Sequence, residues 1–85
     1  MNRRRLLQRL ASGALANVAF ADTVGLAEGF GFRLSRVNGS HHVFTHPDLN
    51  EVLNLQNVAG EAKPYQLRQF MKLVERYNLR LEDDE

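Results

Sequence analysis

The chain predicts an α+β domain in which a three-stranded antiparallel sheet carries two helices on one face, preceded by a helical N-terminal extension. Three observations predict it. Two strand-like stretches, Phe32 to Val37 and His41 to Thr45, meet through Asn38-Gly39, the strongest short hairpin signal. Apolar residues recur at helical spacing on either side of them, at Phe20, Val24 and Ala27 before and at Leu67, Phe70, Met71 and Val74 after. The 85 residues include no cysteine, so one small domain must be held by burial alone, without disulfides, and a reducing cytoplasm is its natural compartment.

The extension, residues 1–17, places Leu6, Leu7 and Leu10 among Arg3, Arg4, Arg5 and Arg9, the pattern of a short basic amphipathic helix from Arg4 to Ser12. A twin-arginine signal starts in a similar way. Here Gln8 and Arg9 break the leucines, and Ser12, Gly13 and Asn17 dilute the stretch after them, so no export signal is expected. No run approaches the roughly 20 apolar residues of a membrane span.

Residues 18–81 form the expected domain. Its first helix starts at Phe20, with Asp22 favourably placed in the first turn. Gly25 and Gly29 each cost about 1 kcal/mol against alanine there, so the helix must rely on packing or on close approach of a neighbour. Gly31 is the expected stop. Phe32-Arg33-Leu34-Ser35-Arg36-Val37 then reads as a half-buried strand, His41 to Thr45 as the second, ended by Pro47-Asp48, and Val52 to Gln56 as the third, with Leu53 and Leu55 on one face. After a polar connection, Ala59 to Lys63, Pro64 suits the first position of a helix running to about Tyr77. Arg68, Lys72 and Arg76 form a basic stripe on it.

Charge is segregated along the chain. The formal net charge is +1, yet Glu82-Asp83-Asp84-Glu85 makes residues 82–85 an acidic tail; without it, 11 basic residues face 6 acids, a body of +5 that suits a polyanionic partner. The helix, three strands, helix order is the architecture of double-stranded-RNA-binding domains (dsRBD-like), which contact phosphates and 2′-hydroxyls.

All three histidines, His41, His42 and His46, fall within Gly39-Ser40-His41-His42-Val43-Phe44-Thr45-His46-Pro47. Histidine titrates near neutrality and suits proton transfer. A shared metal is not expected, since His42 and His46 would stand about 13 Å apart along an extended strand. His41 and His42 point to opposite faces, and the apolar pattern does not settle which face is buried. A partly buried, hydrogen-bonded role suits His42, and a turn position before Pro47 suits His46.

Gly31-Phe32-Arg33-Leu34, the Gly39-to-Asp48 run, and Lys63-Pro64 with Leu67-Arg68 together resemble the HicA family of bacterial toxins over roughly Phe20 to Leu79. The resemblance implies a small cytoplasmic endoribonuclease, an mRNA interferase that needs no cofactor and is neutralised by a cognate HicB antitoxin. It implies His41 as the catalytic histidine, with His42 as the alternative base. RNA supplies its own nucleophile, the 2′-OH, so one imidazole suffices to remove its proton. Arg36, Gly39, Ser40, Lys63, Arg68 and Lys72 are the expected RNA contacts, as cations or through the backbone of the turn. The sequence departs from the family in its extension, in its glycine-weakened first helix and in Gln56-Asn57-Val58, where many relatives carry a basic or histidine-containing segment. A non-catalytic RNA-binding or protein-interaction module of the same fold is the other function class.

Overall fold

The structure, a computed structural model, describes residues 1–82 and orders its elements as α1 (Arg3–Ala11), α2 (Phe20–Gly29), β1 (Arg33–Asn38), β2 (His41–Thr45), β3 (Leu53–Val58), β4 (Glu61–Ala62) and α3 (Pro64–Arg76). The strands form one antiparallel sheet in the order β1-β2-β3-β4. The fold is therefore α+β and dsRBD-like in its helix and strand order, with a fourth, two-residue strand inside the expected connection. Most of the acidic tail, residues 83–85, lies outside the described residues.

The helices start and stop for local reasons. Asn2 caps α1, its Oδ1 accepting the Arg5 N–H at 3.0 Å. At the end of α2, Gly31 takes φ +98°, the Phe32 N–H donates to the Ala27 carbonyl and the Gly31 N–H to the Glu28 carbonyl, which is a Schellman motif. Asn78 ends α3 in the same way, with the Leu79 N–H bonded to the Val74 carbonyl. The start of α2 has no side-chain cap and leans on the sheet instead, for the Phe20 N–H donates to the Gly60 carbonyl at 2.8 Å and Ala19 bridges Glu61.

The core lies between the helices and one sheet face. It joins Phe20, Leu26 and Ala27 of α2 to Phe44 of β2, Leu53 and Leu55 of β3 and Leu67, Phe70 and Leu73 of α3, with Phe30 and Phe32 from the α2–β1 junction. Phe30 and Phe32 each meet the Phe70 ring edge-on at 6.0 Å. Leu6 and Leu10 of α1 are buried in the same core, so the extension docks onto α2 and α3. The α2 glycines make room for it. A Cβ on Gly25 would stand 2.8 Å from the end of Met1, and one on Gly29 would stand 3.1 Å from both Arg3 and Leu81.

Several expectations need correction. The buried stripe of α2 includes Thr23 and Leu26, with Val24 only half-buried, because the helix is covered by α1 as well as by the sheet. On α3 the buried stripe is Gln66, Leu67, Phe70 and Leu73, with Met71 and Val74 at its margin. The third strand starts at Leu53 and runs on to Val58. β1 buries none of its residues, because it is the sheet edge and the helices do not reach it; Leu34 is 51 % and Val37 50 % exposed. His46 is not a mere turn residue, being only 8 % exposed.

Candidate active site on the open sheet face

The register settles the faces of β2. Phe44 pairs with Leu53 and His42 with Leu55, both partners being fully buried, so the even positions of β2 face the helices. His41, Val43 and Thr45 face the other way, onto the uncovered side of the sheet. His41 is exposed and its imidazole makes no hydrogen bond to the described residues. It stands directly after the hairpin turn, opposite Asn38 on β1 and Gln56 on β3.

That turn is tight. Asn38 and His41 pair, leaving Gly39 and Ser40 as the two loop residues, and only Gly39 takes positive φ, +63°. Glycine first with a normal second residue is the type II′ pattern, whose twist matches the flanking strands. A Cβ on Gly39 would meet nothing within 4 Å, so the backbone there is open to close approach by a ligand.

The three histidines occupy three environments. His42 is half-buried, its ring 4.7 Å from that of Phe20, and its Nδ1 donates to the Ser40 carbonyl at 3.1 Å. Since a carbonyl only accepts, Nδ1 carries the proton and the lone pair sits on Nε2. His46 donates from Nε2 to the Phe30 carbonyl at 3.0 Å, accepts the Asp48 N–H at Nδ1 and meets Phe32 edge-on. Both its nitrogens are spent on tying the β2–β3 connection to the end of α2. Among the described residues no three His, Cys, Asp or Glu side chains gather around a common point.

The expected RNA contacts divide by location. Arg36 faces the open side, because the register slips between Leu34 and Arg36: Leu34 pairs with Phe44 and Arg36 with Val43, leaving Ser35 as the extra residue of a β-bulge. Gly39 and Ser40 adjoin His41 in the turn. Lys63 precedes α3, with Nζ 5.7 Å from the Tyr65 ring centroid, at the same end of the sheet as His41. Arg68 and Lys72 are exposed on α3, in the helix layer behind the sheet. Lys72 lines a shallow groove of about 350 Å³ with Glu51, Val52, Gln69, Leu73 and Arg76.

One residue that sequence pattern does not single out braces the site. Gln66, on α3 and only 4 % exposed, accepts the Gln56 N–H on its Oε1 at 2.7 Å, where β4 is too short to supply a partner. The strand position opposite His41 is thereby pinned to α3. The signal available was a glutamine one residue before the apolar stripe of α3, which periodicity alone does not distinguish from a solvent-facing residue.

A charge cluster lies away from this face. Glu51, in the β2–β3 connection, accepts from Tyr77 Oη at 2.5 Å and from Arg76 Nη1 at 2.9 and 3.0 Å. The Tyr77 hydrogen bond, then Arg76, hold its carboxyl below the usual range, while the same bond raises the Tyr77 phenol and Glu51 raises the Arg76 guanidinium. Its members are exposed and join loop to helix end, so this is a surface clasp. It also takes Arg76 out of the basic stripe.

Residues 20–75 match the family model described as the HicA toxin of bacterial toxin-antitoxin. No curated protein and no solved structure matches the chain.

Proposed function

Because the chain belongs to the HicA toxin family, we propose that it is the toxin of a toxin–antitoxin pair, cleaving mRNA as a metal-independent endoribonuclease with His41 as general base. The observation that carries this reading is the isolation of His41: it alone of the three histidines is exposed, its imidazole without a hydrogen bond to the described residues and aimed at the uncovered face. Its imidazole takes the proton of a ribose 2′-OH. The 2′-oxygen then forms a bond to the adjacent phosphorus as the P–O5′ bond breaks, and the departing 5′-oxygen is protonated from solvent. Arg36 and the open backbone of Gly39-Ser40 stand where they stabilise the charge developing on the phosphoryl oxygens. A HicB-type antitoxin silences the enzyme by covering this face. No described helix is long and apolar enough to cross a membrane, and the cytoplasm, where mRNA is met, is the proposed site of action.

One observation favours His42 as base instead: the Ser40 carbonyl fixes its tautomer and leaves Nε2 as an acceptor. Antitoxin-free wild type, His41→Ala and His42→Ala proteins, each verified as folded, are to be incubated with RNA in the presence of a chelator. Cleavage by the wild type and His42→Ala but not by His41→Ala supports the assignment. Intact RNA with folded wild type contradicts the nuclease reading.

A further inference from the structure

The open face holds uncharged amides around His41 and carries both arginines of β1 at one edge, with Lys63 following β4 at the other. In register, Asn38, His41 and Gln56 form one row across the sheet, and Arg36, Val43 and Asn54 form the next. His41 thus has Gln56 about one strand spacing away, ~4.8 Å, and Asn54 on the diagonal. Neither the Asn54 nor the Gln56 side chain makes a hydrogen bond to the described residues. Asn57, on the opposite face of the same strand, spends its side chain on the Gly60 N–H. Arg33 pairs with Thr45 and Arg36 with Val43, so the Ser35 bulge brings both arginines of β1 to the open face, whereas unbroken alternation would turn one away. At the far edge Glu61 of β4 pairs with Val58, which places a carboxylate on that side.

We infer that Asn54 and Gln56 choose the cleavage site by reading base edges next to the scissile phosphate, while Arg33 holds a flanking phosphate along β1 beside Arg36 at the scissile one. The inference rests on the nuclease reading above. A carboxamide offers a donor and an acceptor side by side, which matches the edge of a base and adds no net charge to attract phosphate at large. Single-stranded RNA exposes those edges. Apart from His41 itself, the face presents no aromatic ring on β1, β2 or β3 for bases to stack upon, so selectivity falls to hydrogen bonding. Two arginines at β1, against Glu61 with the single Lys63 after it at β4, set the backbone on the β1 side and the bases over β3.

The test uses the full chain and a random-sequence single-stranded RNA pool. Ends produced by wild type, Asn54→Ala, Gln56→Ala and Arg36→Ala are sequenced, and RNA retained by His41→Ala, with and without Asn54→Ala or Gln56→Ala, is sequenced in parallel. The wild type is expected to prefer particular bases beside the cut, and each amide variant to lose roughly tenfold of preference at one position. Arg36→Ala is expected to keep the preference, weaken binding to every sequence and lower the salt slope of log K by about 1. Cutting with a preference that ignores both amide variants overturns base reading and leaves the nuclease reading standing. A retained pool whose bias depends on Asn54 or Gln56, with no cutting by wild type, supports base reading and overturns the nuclease. An unbiased retained pool overturns base reading as well.

Discussion

The two sides of strand β2 are built from the same short run of residues and behave oppositely. Toward the helices, His42 and Phe44 meet Phe20 and the leucines of β3, and His46 just beyond the strand has both ring nitrogens bonded. Toward solvent, His41, Val43 and Thr45 have no helix over them, and the His41 imidazole has no hydrogen-bond partner among the described residues. The difference teaches that histidine content alone does not locate chemistry. A histidine with both nitrogens occupied contributes to stability, and one left unpartnered on a rigid strand is free to act on a ligand.

The sharpest way to break the comparison is to truncate each side and measure stability by chemical denaturation. Phe44→Ala, at a position 1 % exposed, is expected to cost about 3–5 kcal/mol, whereas Thr45→Ala next to it is expected to stay within about 0.5 kcal/mol. Since small domains are stable by only about 5–15 kcal/mol, the first variant should be largely unfolded under mild denaturant. Equal costs would mean that the two faces are not distinct. His46→Ala is expected to lose about 1–3 kcal/mol by orphaning the buried Phe30 carbonyl and the Asp48 N–H. His41→Ala should lose almost none, and a substantial loss there would show that His41 is structural.

Gly31→Ala probes the anchor of the packed side. Its φ of +98° disfavours any side chain, and a Cβ would lie 3.0 Å from His46 Nε2. A loss of about 1–2 kcal/mol is expected from the backbone strain, read as a fall in Tm. The smallest effect is the pH response of the Glu51 clasp. The Glu51 carboxyl is lowered on folding, so its contribution is present above the unfolded pKa and is lost as pH falls through the folded one. The Tyr77 phenol is raised, so its contribution is lost as pH rises through its folded pKa. Glu51→Gln should therefore lower Tm slightly at neutral pH and converge with wild type in acid. A gap that widens in acid would reverse that sign.

The features legible in the sequence are those set by local chemistry. Gly39 marked the hairpin, although the loop is Gly39-Ser40 and Asn38 closes β1 instead of sharing the turn, while Pro64 marked the start of α3 and Gly31 the end of α2, because each of these residue types answers a local backbone requirement. The Ser35 bulge departs from the regular alternation expected over Phe32 to Val37, because it is set by the pairing with β2. Other features depend on distant partners. Whether β1 is covered depends on how far the helices reach, and Leu6 and Leu10 declare an apolar face without saying what covers it. β4 was hidden by its turn, where Ala59 at φ +52° takes a position that asparagine would have signalled, held by the Asn57 side chain on the Gly60 N–H. For the site, alternation separated His41 from His42, and only their pairing with Gln56 and Leu55 showed which of them faces solvent.

The most direct measurement is the rate of RNA cleavage by His41→Ala beside wild type, with chelator present and folding verified by an unchanged Tm. Loss of roughly 10²–10⁴-fold with stability intact is the predicted result. Cleavage by His41→Ala at the wild-type rate, with His42→Ala inactive but folded, would contradict the assignment of catalysis to the open face.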